Sequence, residues 1–193
     1  MSSPASFDVL HEVSKGLADD FIDEDQSQIE MGRQSVTNRT VTVRGRYRDR
    51  SLVIQYADFW SESISAVAPA AFERNVLEIF VAQSRVTFDG TCKERGVFDK
   101  IARWFGGGGL KGDHAVFERT RIDADGTRNM ACLLYPPFAD ALAEMGEDPA
   151  CLRVKLQAGS GAGPLLDWRG EGSSPAEVFA WIDRTIGMIA TLD

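Results

Sequence analysis

A strict alternation of side chains between Arg39 and Ala57 constrains the fold more than any other feature of the sequence. Apolar or small residues alternate there with polar ones, as is typical of a strand with one buried face. The apolar positions of the first run are Val41, Val43, Gly45 and Tyr47. Those of the second run are Leu52, Ile54 and Tyr56. With a turn near Arg48–Asp49–Arg50 between them, the pattern predicts a β-hairpin.

Further strands and helices follow along the chain. Runs of β-type residues predict strands at 76–82 and 85–88, and the second of these ends at a turn at Asp89–Gly90. Two more strands are predicted at 152–157 and 165–168, on either side of a Gly159–Gly163 loop. The Asp125–Gly126 turn signal predicts a second hairpin between 115–122 and 127–134. Helical periodicity covers 94–105, 136–145 and the capped segment that begins at Ser174. Hairpins with N-terminal, central and C-terminal helices predict an α+β fold with a mainly antiparallel sheet.

The N-terminal segment is acidic. Apolar residues at spacings of three and four predict a helix whose buried stripe runs Phe7, Leu10, Val13, Leu17, Phe21. His11 falls on its polar side, where we expect a solvated side chain. Residues 1–30 hold eight carboxylates against one lysine, so their net charge is −7, out of −8 for the whole chain. We interpret residues 1–30 as a helix and acidic arm, residues 24–35 as a polar linker, and 36–193 as a single α+β domain.

Overall charge and composition exclude several classes of protein. A net charge of −8 argues against nonspecific nucleic-acid binding, which relies on neutralising phosphates. No apolar run approaches the roughly 20 residues that span a bilayer, and the first residues lack a secretory signal. The cysteines, Cys92, Cys132 and Cys151, are odd in number and far apart, which favours reduced thiols. We therefore expect a cytoplasmic protein without a membrane or nucleic-acid partner.

The most distinctive local feature is a row of arginines in the predicted hairpin. Strand alternation places Arg44, Arg46 and Arg48 on one face, and these three are the candidate binding residues. One interpretation is an edge or exposed strand that charge protects from aggregation. The other is a surface for anions or acidic peptides, because guanidinium groups bind carboxylates and phosphates bidentately. In the second case, we expect the acidic run 19–25 to cover the arginines and compete with a partner.

Catalytic and cofactor signatures are scarce. With two histidines in the chain, the pool of general bases is small. A site with Cys132 as thiol, His114 as base and a nearby acid is conceivable, although no spacing in the sequence brings them together. No Cys or His cluster has metal-ligand spacing, and the glycines at 106–109 precede Lys111 without the Ser or Thr of a phosphate loop. We predict neither a metal nor a cofactor.

Two resemblances concern layout. The segments Gly45–Arg46–Tyr47–Arg48 and Leu133–Leu134–Tyr135–Pro136, followed by the capped C-terminal helix, resemble uncharacterised bacterial proteins of unknown function over residues 40–192. This resemblance implies an α+β fold and no activity. The order of helix, hairpins and final helix also resembles that of small acidic α+β secretion chaperones, which is a likeness of layout alone.

These observations lead to two functional hypotheses. The first is a cytoplasmic, non-enzymatic binding or accessory protein that recognises a protein partner through the arginine strand. The second is a small enzyme with a Cys/His/Asp site and an unspecified substrate. A pocket that gathers thiol, imidazole and carboxylate within hydrogen-bond distance would favour the enzyme.

Overall fold

A computed structural model describes most of the chain, namely residues 4–31, 34–63, 71–82, 89–96, 99, 113–125, 135–168 and 173–192. The helices of these ranges are α1 (Pro4–Lys15), α2 (Val116–Arg119), α3 (Pro136–Gly146) and α4 (Pro175–Ala190). The strands are β1 (Ala18–Met31), β2 (Gln34–Tyr47), β3 (Arg50–Ser63), β4 (Ala71–Ala82), β5 (Asp89–Glu94), β6 (Thr120–Asp125), β7 (Cys151–Gln157) and β8 (Gly161–Asp167). No helix in the described ranges is long and apolar enough to cross a bilayer.

The predicted α+β fold is confirmed, because antiparallel strands joined in hairpins accompany helices near both ends and in the centre. The chain divides into two compact units. The first comprises Met1–Ile79 and Asp167–Phe179, and the second comprises Phe80–Leu166 and Ala180–Asp193. Strand order is β1-β2-β3-β4 in the first unit and β8-β7-β5-β6 in the second, and residues 80–82 at the end of β4 belong to the second unit.

In the first unit, α1 packs on β1 and β2. Its buried residues Leu10 and Val13 belong to a core with Val41, Ile54 and Tyr56, which are all fully enclosed. The Tyr56 hydroxyl donates a hydrogen bond to Asn75 Oδ1 over 3.2 Å, so the polar end of this buried ring is satisfied.

The β2–β3 hairpin is confirmed in its register and its turn. Tyr47 pairs with Arg50, and the two residues between them, Arg48 and Asp49, have φ angles of 48° and 63°. Two consecutive residues with positive φ are typical of the two-residue turns whose twist matches antiparallel strands. Because β2 ends at Tyr47, Arg48 lies in this turn.

In the second unit, β5 lies between β6 and β7, and β7 pairs in turn with β8. Phe117, Ile122, Phe138 and Leu156 form its buried interior. α3 begins at Pro136 and ends at Gly146, as predicted. α4 also begins where the sequence indicates, since Ser174 Oγ accepts the Glu177 backbone N–H over 3.4 Å.

The prediction for the N-terminal segment is wrong beyond Lys15. The helix ends there, and the acidic run lies in β1 instead of continuing the helix to Phe21. Residues 24–31, predicted as linker, pair with β2 in an unbroken register. Pairing with a neighbouring strand can override weak local β-propensity, and that is the reason this polar segment is extended.

Other expectations differ in detail or cannot be compared. Asp89–Gly90, predicted as a turn, opens β5, because β6 and β7 pair with it on both sides. The segment 115–122 contains α2 before β6 begins at Thr120. The predicted strands 85–88 and 127–134 and nearly all of helix 94–105, apart from Glu94 in β5 and residues 95, 96 and 99, lie outside the described residues.

Candidate functional site

Arg44 and Arg46 project from the same exposed face of β2, opposite the buried Val41 and Val43. The alternation that predicted this face is therefore correct for these two arginines. It is wrong for Arg48, whose position in the turn removes it from the row. The row does not lie at a sheet edge, because β2 is paired on both sides, and the other form of that interpretation, an exposed charged strand face, stays open.

Arg46 is engaged by the acidic strand. Its Nε donates to Asp19 Oδ2 over 2.7 Å, and the two side chains remain 53 % and 70 % exposed. Asp19 itself has a φ of 52°, beside the irregularity in β1–β2 register between Ala18 and Phe21. Aspartate tolerates this left-handed conformation better than most residues do. The local bulge thus turns one carboxylate of the acidic run toward one arginine of the row.

Arg44 has a different environment. In the antiparallel register, Phe21 lies directly opposite it on one side and Val53 on the other, so all three share one face. Phe21 is 57 % exposed, a large apolar side chain in solvent. Within the part of the chain that the structure describes, Arg44 has no ion pair. The result is an exposed cation flanked by two apolar side chains, which we call the Arg44 row.

Arg39 lies on the opposite, core-facing side of β2. Its guanidinium carbon is 3.6 Å from the centre of the Phe7 ring and one nitrogen is 3.5 Å from Glu24. Glu24 also accepts a hydrogen bond of 2.8 Å from His11, so His11 is exposed as expected but has a partner. The hydrogen bond from His11 is the main reason that the pKa of Glu24 is lowered. This group ties α1 to β1 and β2.

His114 does not have the geometry of a catalytic base. Its Nδ1 accepts the Val116 backbone N–H over 3.2 Å, which leaves Nε2 to donate to Asp140 over 3.0 Å. Because both ring nitrogens are occupied, neither can take a proton from a nucleophile without losing a bond. The proposed partner Cys132 lies outside the described residues.

The two thiols that the structure describes, Cys92 and Cys151, are poorly reactive near neutral pH. Burial, with Asp123 and Cys151 nearby, raises the pKa of Cys92 to about 12. Burial and Asp148 raise the pKa of Cys151 to about 11. Since the thiolate is the reactive form, both side chains stay protonated and weakly nucleophilic near neutral pH.

A second charged feature appears in the second unit, and sequence reasoning missed it. β-register places Lys93 directly opposite Arg121 on β6 and Arg153 on β7, so three cations form one row across adjacent strands. We call these residues the basic row. Cβ atoms of directly opposed residues lie about 4.5–5.5 Å apart, and like charges at that spacing are destabilising.

Only one of the three cations is well compensated. Arg121 donates to Asp99 over 2.5 Å and to Asp123 over 2.7 Å, and its bond lowers the pKa of Asp99. Lys93 and Arg153 are exposed and make no ion pair within the described ranges, and the charge of Lys93 is near enough to Asp99 to help lower the pKa of that carboxyl. No sequence pattern gives the pairing of β5 with the distant β7, so the row could not be found without the fold.

A cleft of about 490 Å³ lies beside the basic row, within the second unit. Its lining includes the next row of the same face, Asp123, Thr91 and Lys155, together with the β7–β8 turn at Ala158 and Ser160. Asp89 Oδ1 accepts the Ala158 N–H over 2.9 Å, and this bond holds the turn against β5. The cleft therefore has both polar and apolar lining, and one of its walls is fixed by this bond.

The structure describes only part of the segments that could hold a metal ion or a phosphate group. Among the described residues, no three His, Cys, Asp or Glu side chains gather as metal ligands. The glycines at 106–109 and Lys111 lie outside the described ranges.

Comparisons with family models, with curated proteins and with solved structures give no match to this chain.

Proposed function

We propose that the chain is a non-enzymatic binding protein of the cytoplasm that recognises an acidic protein partner through the Arg44 row. The observation that carries this proposal is the flanking of exposed Arg44 by Phe21 and Val53 in register. Arginine and aromatic residues are enriched where protein interfaces concentrate their binding energy. A carboxylate on the partner would take the guanidinium, and an apolar side chain would cover Phe21.

Arg46 extends this surface toward Asp19. The Asp19 carboxylate accepts the hydrogen bond that a partner carboxylate would otherwise accept. An exposed ion pair of this kind contributes at most about 1 kcal/mol, so a partner can displace it. Asp19 would thus weaken partner binding by competing for Arg46. The sequence predicts that the whole acidic run 19–25 covers the arginines, and we propose instead that Asp19 has this role.

The arrangement of the other candidate groups agrees with a binding role. His114 has both nitrogens engaged, and Cys92 and Cys151 have raised thiol pKa values. Net charge of −8 disfavours nucleic acid as the partner. Free, buried or half-buried thiols suit a reducing cytoplasm.

The test compares the wild-type bait with two variants that change the charge equally and with one variant that removes an apolar side chain. Affinity capture from the native host is performed with the wild-type chain, with Arg44→Glu, and with Lys15→Glu as control for the same change of charge at an exposed α1 position. We expect an acidic protein that binds wild type and Lys15→Glu, and that Arg44→Glu and Phe21→Ser both lose. Its purified form should bind Asp19→Asn more tightly than wild type.

Two results would contradict the proposal. One is that every protein lost from the Arg44→Glu bait is lost from the Lys15→Glu bait as well, or that no protein is lost from the Arg44→Glu bait. The other is that the Arg44-dependent proteins are basic, because then the guanidinium is not their recognition element. Deletion of residues 1–30 is unsuitable here, since it removes β1 together with the core residues Leu10 and Val13.

A further inference from the structure

The basic row lies in the middle of a sheet, and this position distinguishes it from ordinary surface charge. Lys93 is on β5 and Arg153 on β7, and both strands are paired on both sides. Charges that protect a sheet from edge-to-edge association are needed on edge strands. Lys93 and Arg153 therefore do not protect a sheet edge, and their charges lie on the exposed face of the sheet.

The side chains around the row are arranged to hold it in place. Arg121 is fixed by two carboxylates, Asp99 and Asp123, so its guanidinium has a set orientation. Asp123 is in turn neutralised by Arg121 and adds little repulsion toward an anion. Lys93 and Arg153 keep their charges exposed beside this fixed pair, within the described part of the chain.

The adjoining cleft supplies space and hydroxyl donors. Its volume of about 490 Å³ falls within the range of small-molecule sites, roughly 300–1,000 Å³. Thr91 and Ser160 line it, and Lys155 carries a further positive charge one row from Arg153. Asp89 lies at the other end of the cleft, where its bond to the Ala158 N–H occupies one oxygen.

From this geometry we propose a second binding site in the protein, for a small ligand that carries two linked phosphoryl groups. The ligand's phosphoryl oxygens accept hydrogen bonds from Lys93 and Arg153, and its uncharged part occupies the cleft beside Thr91. Lysine and arginine side chains are the usual donors to phosphate oxygens. This inference does not depend on the function proposed for the Arg44 row.

Calorimetric titration of the full chain with inorganic pyrophosphate tests the site. We expect saturable one-site binding that weakens as salt is raised, because the attraction is between charges. Lys93→Gln and Arg153→Gln should each weaken it roughly tenfold or more, the loss expected for one charge-assisted hydrogen bond. Lys15→Gln makes the same change of charge at an exposed position of α1 and should leave the affinity unchanged.

A melting experiment gives a second, independent measurement. Lys93→Gln should melt at a higher temperature than wild type without ligand, since it removes two like-charge oppositions. The same variant should lose the increase in melting temperature that pyrophosphate gives wild type. A variant destabilised without ligand would show that Lys93 stabilises the fold, and would overturn the proposal.

Other outcomes are equally decisive. Absence of saturable binding at millimolar pyrophosphate, or equal binding by wild type and Lys93→Gln, would refute the site. Citrate serves as a carboxylate probe of similar charge. If citrate binds in a Lys93-dependent way and pyrophosphate does not, the phosphoryl assignment is wrong. Loss of partner capture in Arg44→Glu with retained pyrophosphate binding would separate the two proposals.

Discussion

Gly161, the first residue of β8, provides the sharpest test of the packing in the second unit. A Cβ atom at this position would lie 2.3 Å from the Val81 carbonyl oxygen and 2.7 Å from Cε1 of Phe80. Ordinary contacts of a Cβ atom begin near 3.4 Å. The Phe80 ring can rotate, but the Val81 oxygen belongs to the backbone of β4 and moves only with its strand.

Gly161→Ala should therefore destabilise the protein by about 3 kcal/mol, the upper end of the range for overpacking. The matched control is Gly187→Ala in α4, where nothing lies within 4 Å of the added atom. Alanine is favoured over glycine inside a helix by about 0.8–1.0 kcal/mol, so this variant should be stabilised. The same methyl group then gives opposite signs at two glycines.

Urea unfolding, followed by far-ultraviolet circular dichroism and tryptophan fluorescence, measures both variants. The midpoint of Gly161→Ala should fall and that of Gly187→Ala should rise, with unchanged slopes if only the native state is affected. Should Gly161→Ala unfold at the wild-type midpoint, the close approach of β8 to the Val81 carbonyl would be incorrect. A lowered midpoint for Gly187→Ala would contradict the open space around α4.

Two further predictions concern the last helix and the thiols. Trp181→Ala should lower the free energy of unfolding by about 3–5 kcal/mol, because Trp181 is 3 % exposed. Ser174→Ala should lower it by about 0.5–1 kcal/mol, because the helix cap is lost. Equal urea midpoints for the two variants would contradict the buried position of Trp181. The Cys92 and Cys151 pKa values of about 12 and 11 exceed the ordinary 9.0, so above pH 9 the unfolded chain releases protons that the native chain keeps. The free energy of unfolding should therefore fall as pH rises from 9 toward 12, by up to about 1.4 kcal/mol per pH unit for each thiol. It should fall less steeply with pH in Cys92→Ala than in wild type. Identical slopes for the two proteins would refute the raised pKa of Cys92.

The elements that the sequence predicted well carry two signals at once. The β2–β3 hairpin combines alternation with a turn, and α4 combines a capping serine, a proline and a periodic apolar face. β1 carries neither, because Asp, Glu and Gln occupy both of its faces. Its strand conformation comes from pairing with β2, which is a tertiary effect that local propensity does not contain.

The candidate sites divide in the same way. Alternation within one strand was enough to place Arg44 and Arg46 on a common exposed face. The neighbours that give Arg44 its character, Phe21 and Val53, depend on the register of three strands. The basic row depends on register even more strongly, since 28 residues separate Lys93 from Arg121 and 60 separate it from Arg153. Charges this far apart in sequence show no pattern before the strands are paired.

Both proposals rest on cations that make no ion pair among the described residues. On β2, Arg39 meets Glu24 and Arg46 meets Asp19, while Arg44 has no ion pair among the described residues. In the second unit, Arg121 meets two carboxylates, while Lys93 and Arg153 have none in the described ranges. Each of these three uncompensated cations lies on a strand paired on both sides, where protection of an edge is not required. Both proposals place a negatively charged group from outside the chain on these cations. Their surroundings differ, because Arg44 has apolar neighbours whereas Lys93 and Arg153 lie beside the cleft.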